Sequence, residues 1–286
     1  MKYPSFPNIH ARLFNALGLG LLLCASSAWA QTPLYNFTFS EGTGTAAVNS
    51  GSASSSNATL LGGSTWSAAT ATGFGSALNL SGTNGDYASA SGAALNGLTA
   101  FTVTMWVNLS STGTATNDRL LSNLSSSLGI DLIVSGFNTG TGNFTVNLGV
   151  NAVTAGAAAV AGKIDQWSFV AVRYNSTLAT NNVAYFTGTT VAATAMLSNN
   201  ANIVSQPTVG NGGSLLIGNT PANLARSPNG LFDDVRIYST ALNSTQIDDI
   251  RLENLTVIPE PSAFALISSV AVLFSTICVR RTKKHA

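Results

Sequence analysis

The sequence predicts an all-β fold, an antiparallel sandwich or barrel with one short helix near its end, set between two apolar terminal segments. Two observations carry the prediction. The apolar runs are short and rich in β-branched and aromatic residues, and the stretches between them are dominated by Gly, Ser, Thr, Asn and Ala. Such a chain builds strands and turns more readily than long helices. Residues 31–258 suffice for one large domain with a sizeable core, and no internal repeat divides them.

The elements follow in order. Tyr35 to Phe39 alternates with period two, as a half-buried strand does. Ala46 to Ser64 has almost no apolar period and reads as a long surface loop. Thr99 to Val107 is the strongest strand: Phe101, Val103, Met105 and Val107 share one face, with Thr102, Thr104 and Trp106 on the other. Leu128 to Val134, Phe144 to Val150, Trp167 to Tyr174, Val183 to Thr187, Leu215 to Gly218 and Leu231 to Tyr238 continue the series. Turns such as Gly140-Thr141-Gly142-Asn143 separate them, and the Ala- and Gly-rich stretch 153–162 reads as a flexible connection or weak strand. The helix is placed over Ser244 to Asn254, where Asn243 stands at the N-cap and Gln246 three residues on completes a capping box. Ile247, Ile250 and Leu255 would face inward.

Both ends read as export signals. Lys2, His10 and Arg12 precede the apolar stretch Leu13 to Ala25, and Ala28-Trp29-Ala30 is a small-x-small cleavage site, so residues 1–30 are expected to be a signal peptide. A buried N-terminal helix is the plainer alternative. At the far end, Pro259-Glu260-Pro261 is followed by the apolar run Ala263 to Val279, at the short limit for a membrane span, and then by Arg280, Arg281, Lys283 and Lys284. Those cations would hold that end in the cytoplasm. Cys24 and Cys278 both lie inside the apolar ends, leaving the exported domain no thiol for a disulfide, a metal or nucleophilic attack. Read as a lipoprotein cysteine, Cys24 sits in a poor lipobox, Leu21-Leu22-Leu23 before it and Ala25 after.

Removing the ends changes the charge. The whole chain is +1, whereas residues 31–258 hold six cations and ten anions, a net of −4. A mildly acidic domain without a basic patch is a poor fit to nucleic acid. Both histidines, His10 and His285, fall in the terminal segments, so the commonest general base and metal ligand are absent between them.

The C-terminal order of Pro-Glu-Pro box, apolar helix and basic tip resembles the PEP-CTERM sorting signal. That resemblance implies a partner, a membrane transpeptidase of the exosortase family, and a route: export, transient anchoring in the inner membrane of a Gram-negative bacterium through residues 263–279, then release near Pro259-Glu260-Pro261 to the surface or matrix. In the domain itself, three blocks resemble the LamG-like jelly roll of the concanavalin A-like lectin/glucanase superfamily. The first is Phe74 to Leu80 with Asp86-Tyr87 and Leu98 to Val107; the second is Trp167 to Tyr174; the third is Gly230 to Tyr238 with Ala241-Leu242 and the capped helix. The resemblance implies an antiparallel jelly-roll sandwich over residues 31–255, with the sorting tail at 256–286.

Alternation in the last block sends Asp233 to the side of Val235 and Ile237, with Asp234, Arg236 and Tyr238 opposite. A carboxylate on a core face is costly unless satisfied. Related jelly rolls often bind a structural calcium near this position, so the resemblance implies Ca2+ at Asp233 with Glu41 contributing; a hydrogen-bonded or ion-paired aspartate is the plainer alternative. The related turn often carries Asp where this chain has Asn49, which weakens a site in that loop. Catalysis is not expected: no Glu lies between Glu41 and Glu253, Asp118, Asp131 and Asp165 are isolated, and Asp248-Asp249 falls on the helix. Trp106 and Trp167 sit in the core blocks and read as packing, as against a sugar platform with Trp66, Tyr87 and Tyr185. The implied function is non-catalytic binding of an extracellular polysaccharide or surface glycan, in extracellular polymer or biofilm; a structural or adhesive surface protein without sugar specificity is the alternative.

Overall fold

The computed structural model describes residues 31–70, 75–205, 207–253 and 255, so the expected signal peptide and the sorting tail lie outside the described residues. Among the described residues no helix is long and apolar enough to cross a membrane. The strands run in chain order as β1 Tyr35–Phe37, β2 Ala46–Ala47, β3 Ala58–Leu61, β4 Thr65–Ser67, β5 Ala77–Ser81 and β6 Tyr87–Ala90. The long β7 Ala100–Leu109 follows, then β8 Arg119–Ser122, β9 Ile130–Asn138, β10 Asn143–Val150, β11 Val153–Thr154 and β12 Gly162–Lys163. The series closes with β13 Ser168–Asn175, β14 Val183–Gly188, β15 Leu197–Ala201, β16 Leu215–Ile217, β17 Asn229–Tyr238 and the helix α1 Ser244–Leu252.

Two antiparallel sheets form from these strands. The first has the order β15-β14-β13-β7-β17-β5-β4, with β1 also on β17; the second has β11-β10-β9-β8-β16-β6-β3-β2, with β12 on β10. Alternation accounts for the core: Phe101, Val103, Met105 and Val107 of β7 meet Leu132 and Val134 of β9 and Val146 and Leu148 of β10 in one cluster. The opposite face of the first sheet is also buried. Trp106, Phe169, Phe186 and Tyr238 form a second cluster there, closed by Leu242 and Ile247 of the helical segment. The helix is held at its start by the expected reciprocal bonds, Asn243 to the Gln246 amide and Gln246 to the Asn243 amide, each 2.9 Å. Both clusters are drawn from residues between Leu34 and Leu255, so the described sandwich carries a hydrophobic core of its own.

Two expectations are corrected. The stretch 46–64 is not a plain surface loop, since it contributes β2 and β3, and Ala47, Ala58 and Leu60 enter the main cluster. Its strands are built from Ala and Thr, which leave little apolar period to read. The second correction concerns Asp233. On β17, Asp233 stands opposite Trp106 and Arg236 opposite Thr104, so three residues on β17 advance for two on β7. The extra residue is Asp234, at φ 47°. This bulge breaks the alternation: Phe232, Val235 and Ile237 enter the main cluster, and Asp233 shares the face of Trp106, away from them.

Candidate functional site

The charged residues of the sandwich are bound up in its construction. Asp234 accepts from Arg236 Nε at 2.6 Å, and Arg236 Nη1 reaches Glu253 at 2.5 Å, tying the bulge to the end of α1. Burial raises the Asp234 carboxyl above its ordinary range despite the Arg236 charge beside it. Burial disfavours the Arg236 charge as well, but the Asp234 carboxylate outweighs that and the guanidinium is pushed up. Asp86 is buried and accepts from Gly63 N at 2.5 Å, Ser81 N at 3.1 Å and Ser81 Oγ at 2.6 Å, joining two turns. Arg119 Nε bridges both oxygens of the buried Asp131, at 2.9 and 3.0 Å.

Asp233 is fully buried beside Trp106, and Glu41 accepts from Val48 N at 2.7 Å. Among the described residues no group of three or more His, Cys, Asp or Glu side chains gathers to hold a metal ion. Asn49 is committed to its own loop: Oδ1 accepts from Asn36 N (2.8 Å) and Gly51 N (2.9 Å), and Nδ2 donates to Ala53 O (2.6 Å).

The aromatic candidates Trp66, Trp106, Trp167 and Tyr185 are interior or packed against the clusters. Trp106 and Tyr185 are completely buried, Trp167 packs on the second cluster, and Trp66 lies 6.3 Å from Phe39 with its Nε1 donating to Gly44 O at 2.8 Å. Trp66 therefore braces the turn before β2. Trp66, Trp167 and Tyr87 keep partial exposure.

What the surface does offer is a polar groove of about 420 Å³ at one end of the second sheet. Ser89 and Ala90 of β6 form part of it; Ser91, Gly92 and Asn96 follow in the next turn, and Gly212, Gly213 and Ser214 come from the loop that leads into β16. Asn57, just ahead of β3, completes the rim. The register that pairs Ser89 with both Thr59 and Leu216 brings these three chain segments together. Among the described residues no charged or aromatic side chain lines the groove; hydroxyls, amides and bare backbone do, with Ala90 and Ala93. Its glycines are required by close packing: a Cβ on Gly92 would strike the Gly213 carbonyl oxygen, and one on Gly212 would strike the Asn123 side chain. Asn123 is wholly buried, accepts from Ile130 N through Oδ1 at 2.7 Å, and has no protein acceptor for Nδ2 beside those glycines. Sequence reading missed this groove, although the run Asn211-Gly212-Gly213 marks a place where backbone lies open.

Comparison with known proteins fits this architecture. The family model described as the concanavalin A-like lectin/glucanases superfamily matches residues 81–248, more than half of the chain. Among solved structures, the receptor-binding domain of a botulinum neurotoxin C/D mosaic serotype superposes with a TM-score of 0.53 at 12% identity, covering 78% of this chain and 51% of that one. The binding domain of Paraclostridial Mosquitocidal Protein 1 gives 0.54 at 9% identity, over 78% and 52%. This chain thus spans about half the length of those toxin domains. Domain 4 of AbnA, an extracellular arabinanase from Geobacillus stearothermophilus solved with arabinotriose, gives 0.52 at 16% identity, over 78% of this chain and 99% of that one. At such identities the likeness shows the fold. No curated protein matches the chain in sequence.

Proposed function

The chain belongs to the concanavalin A-like lectin/glucanases superfamily, and on that footing we propose that it is an exported, non-catalytic protein that binds a glycan of an extracellular polymer or matrix. The observation that carries this reading is the groove at the β3–β6–β16 end, where hydroxyls, amides and open backbone line a concavity without a single charge. Such a surface suits the hydroxyl-rich face of a neutral sugar. The arabinotriose held by the similar arabinanase domain supports a saccharide on this fold, but fold alone does not fix function. A glycosidase reading gains no support from the acids: Asp86, Asp131 and Asp234 are each taken up by structural partners.

The proposal includes the route. Residues 1–30 would be removed after Ala28-Trp29-Ala30, residues 31–255 would form the exported domain, and residues 256–286 would serve as the sorting tail. In that tail Ala263 to Val279 would anchor the chain in the membrane, Arg280 and Arg281 would stop its transfer, and an exosortase-type enzyme would cut near Pro259-Glu260-Pro261. Calcium is the lesser part. Asp233 lies buried on the Trp106 face of β17 and Glu41 holds the Val48 amide, so a cation at either carboxylate would rely on backbone carbonyls and water.

The test is binding of purified residues 31–258 to neutral and uronic-acid polysaccharides, with and without a calcium chelator. Saturable, sugar-competed binding that disappears in Ser214→Arg, at an unchanged melting temperature, is the expected result. A folded domain that binds no glycan overturns the reading. If the chelator leaves both melting and binding unmoved, calcium drops out of it.

A further inference from the structure

The groove at the β3–β6–β16 end has a one-sided hydrogen-bonding character that its residue types alone do not reveal. Two asparagines line it, and each has its side-chain carbonyl occupied: Asn57 Oδ1 accepts from Asn49 N at 2.9 Å, and Asn96 Oδ1 from Gly212 N at 3.3 Å. An asparagine amide bound through its oxygen is left with Nδ2, which can only donate. The buried Asn123 behind Gly92 and Gly212 is held in the same way, with Oδ1 on Ile130 N at 2.7 Å and no acceptor for Nδ2 among the described residues. Backbone acceptors are spent as well. In the turn after β6 the carbonyls of Ser91, Gly92 and Ala93 accept from Tyr35 Oη, Leu95 N and Asn96 N. The groove therefore presents amide donors in excess, while its serine hydroxyls serve either way. An apolar contact stands beside them. Ala93 is exposed, and Asn96 follows it by one turn of the short 3-10 helix Ala93–Leu95, so that methyl and that amide share a side.

We propose that the groove selects an acetylated sugar, with Asn96 Nδ2 donating to the acetyl carbonyl, Ala93 meeting the acetyl methyl and Asn57 Nδ2 supplying a second donor. This selectivity presupposes the glycan reading above and adds to it the substituent that is read. A surface with donors in excess favours a ligand group that only accepts. An anion would accept too, but no cation lines the groove and the domain carries a net −4. A sugar hydroxyl both gives and takes, and here it meets few free acceptors for its proton. An acetyl group sets an uncharged carbonyl next to a methyl, the pair that Asn96 and Ala93 complement. N-acetyl and O-acetyl groups share that chemistry.

Calorimetric titration of the full chain, purified in detergent, with two matched pairs of neutral ligands reads this directly. The first pair is the β-1,4 pentamers of N-acetylglucosamine and of glucose, which differ by acetamido against hydroxyl. The second is an O-acetylated glucomannan and the same polymer stripped of acetyl by alkali. The acetylated member of at least one pair should bind about tenfold tighter than its counterpart, and the pair that discriminates gives the linkage. Asn96→Asp keeps an oxygen for Gly212 N and turns the donor into an acceptor, so it should erase that preference at an unchanged melting temperature. Asn57→Asp does the same to the second donor while keeping the bond from Asn49 N. Equal binding within both pairs, or a preference that neither Asp substitution moves, overturns the proposal. A folded chain that binds neither acetylated ligand yet binds another polysaccharide overturns the proposal alone; one that binds no glycan overturns the reading beneath it as well.

Discussion

Arg251 holds a full positive charge at 1% side-chain exposure, and what makes that tolerable is a nest of oxygens. Nε donates to Asp248 at 2.7 Å, and the two terminal nitrogens donate to the carbonyls of Thr189, Val191, Ala192 and Thr194 at 2.9–3.4 Å. The residue thus fastens the loop ahead of β15 to α1. Arg251→Met keeps much of the bulk and strands those carbonyls, so urea unfolding should show a loss of about 3 kcal/mol; Arg251→Lys should recover only part of it, since one ammonium cannot span the set. The buried phenols make a second prediction. Burial pushes Tyr174 and Tyr185 up to about 12, with the Leu148 amide slightly opposing it at Tyr185. In the unfolded chain a phenol ionises near 10. Between those values the unfolded state releases protons that the folded state keeps, so stability present below pH ~10 is lost as pH climbs towards 12. Tyr185 Oη also accepts from Leu148 N and lies 3.0 Å from Gly156 O. Tyr185→Phe should therefore be less stable at neutral pH yet decline less steeply in alkali, as unfolding curves at pH 8 and 11 would show.

At the scale of elements, α1 works as a lid on the second face of the first sheet, and its hold has two parts. The capping box fixes where it starts, and Ile247 inserts among Trp106, Phe169 and Phe186. Asn243→Ala should cost about 1 kcal/mol and Ile247→Ala about 3 kcal/mol; thermal unfolding of each variant and of the pair would test whether cap and plug act independently. This helix was legible in sequence because capping chemistry is local. So was β7, whose two faces part cleanly into Phe101, Val103, Met105, Val107 and their neighbours. The bulge at Asp234 was not, since a strand's alternation contains no mark for an inserted residue; only the register against β7 reveals it. The short strands β2 and β3 escaped for a different reason: Ala47, Ala58 and Leu60 are buried by partners brought from Tyr87 to Ala90, and nothing local announces them. The groove shares that cause, being assembled from three segments that meet only through the second sheet.

For the whole molecule, the decisive quantity is where charge is absent. The domain is acidic overall, yet the groove lining is uncharged, and the buried acids Asp86, Asp131 and Asp234 are spent on turns, the Arg119 pair and the bulge. Two consequences follow for binding. Attraction in the groove would come from hydrogen bonds and close contact, neither of which salt screens appreciably, so affinity for a neutral polysaccharide should stay nearly constant between low and ~0.5 M salt. A uronic-acid polymer would meet a net negative domain with no basic patch to receive it, and its residual binding should be weakest at low salt and rise as screening removes the repulsion. Titration of the same domain with both polymers at two salt concentrations separates the cases. Binding that collapses with added salt would place the contact on one of the few exposed cations instead of the groove.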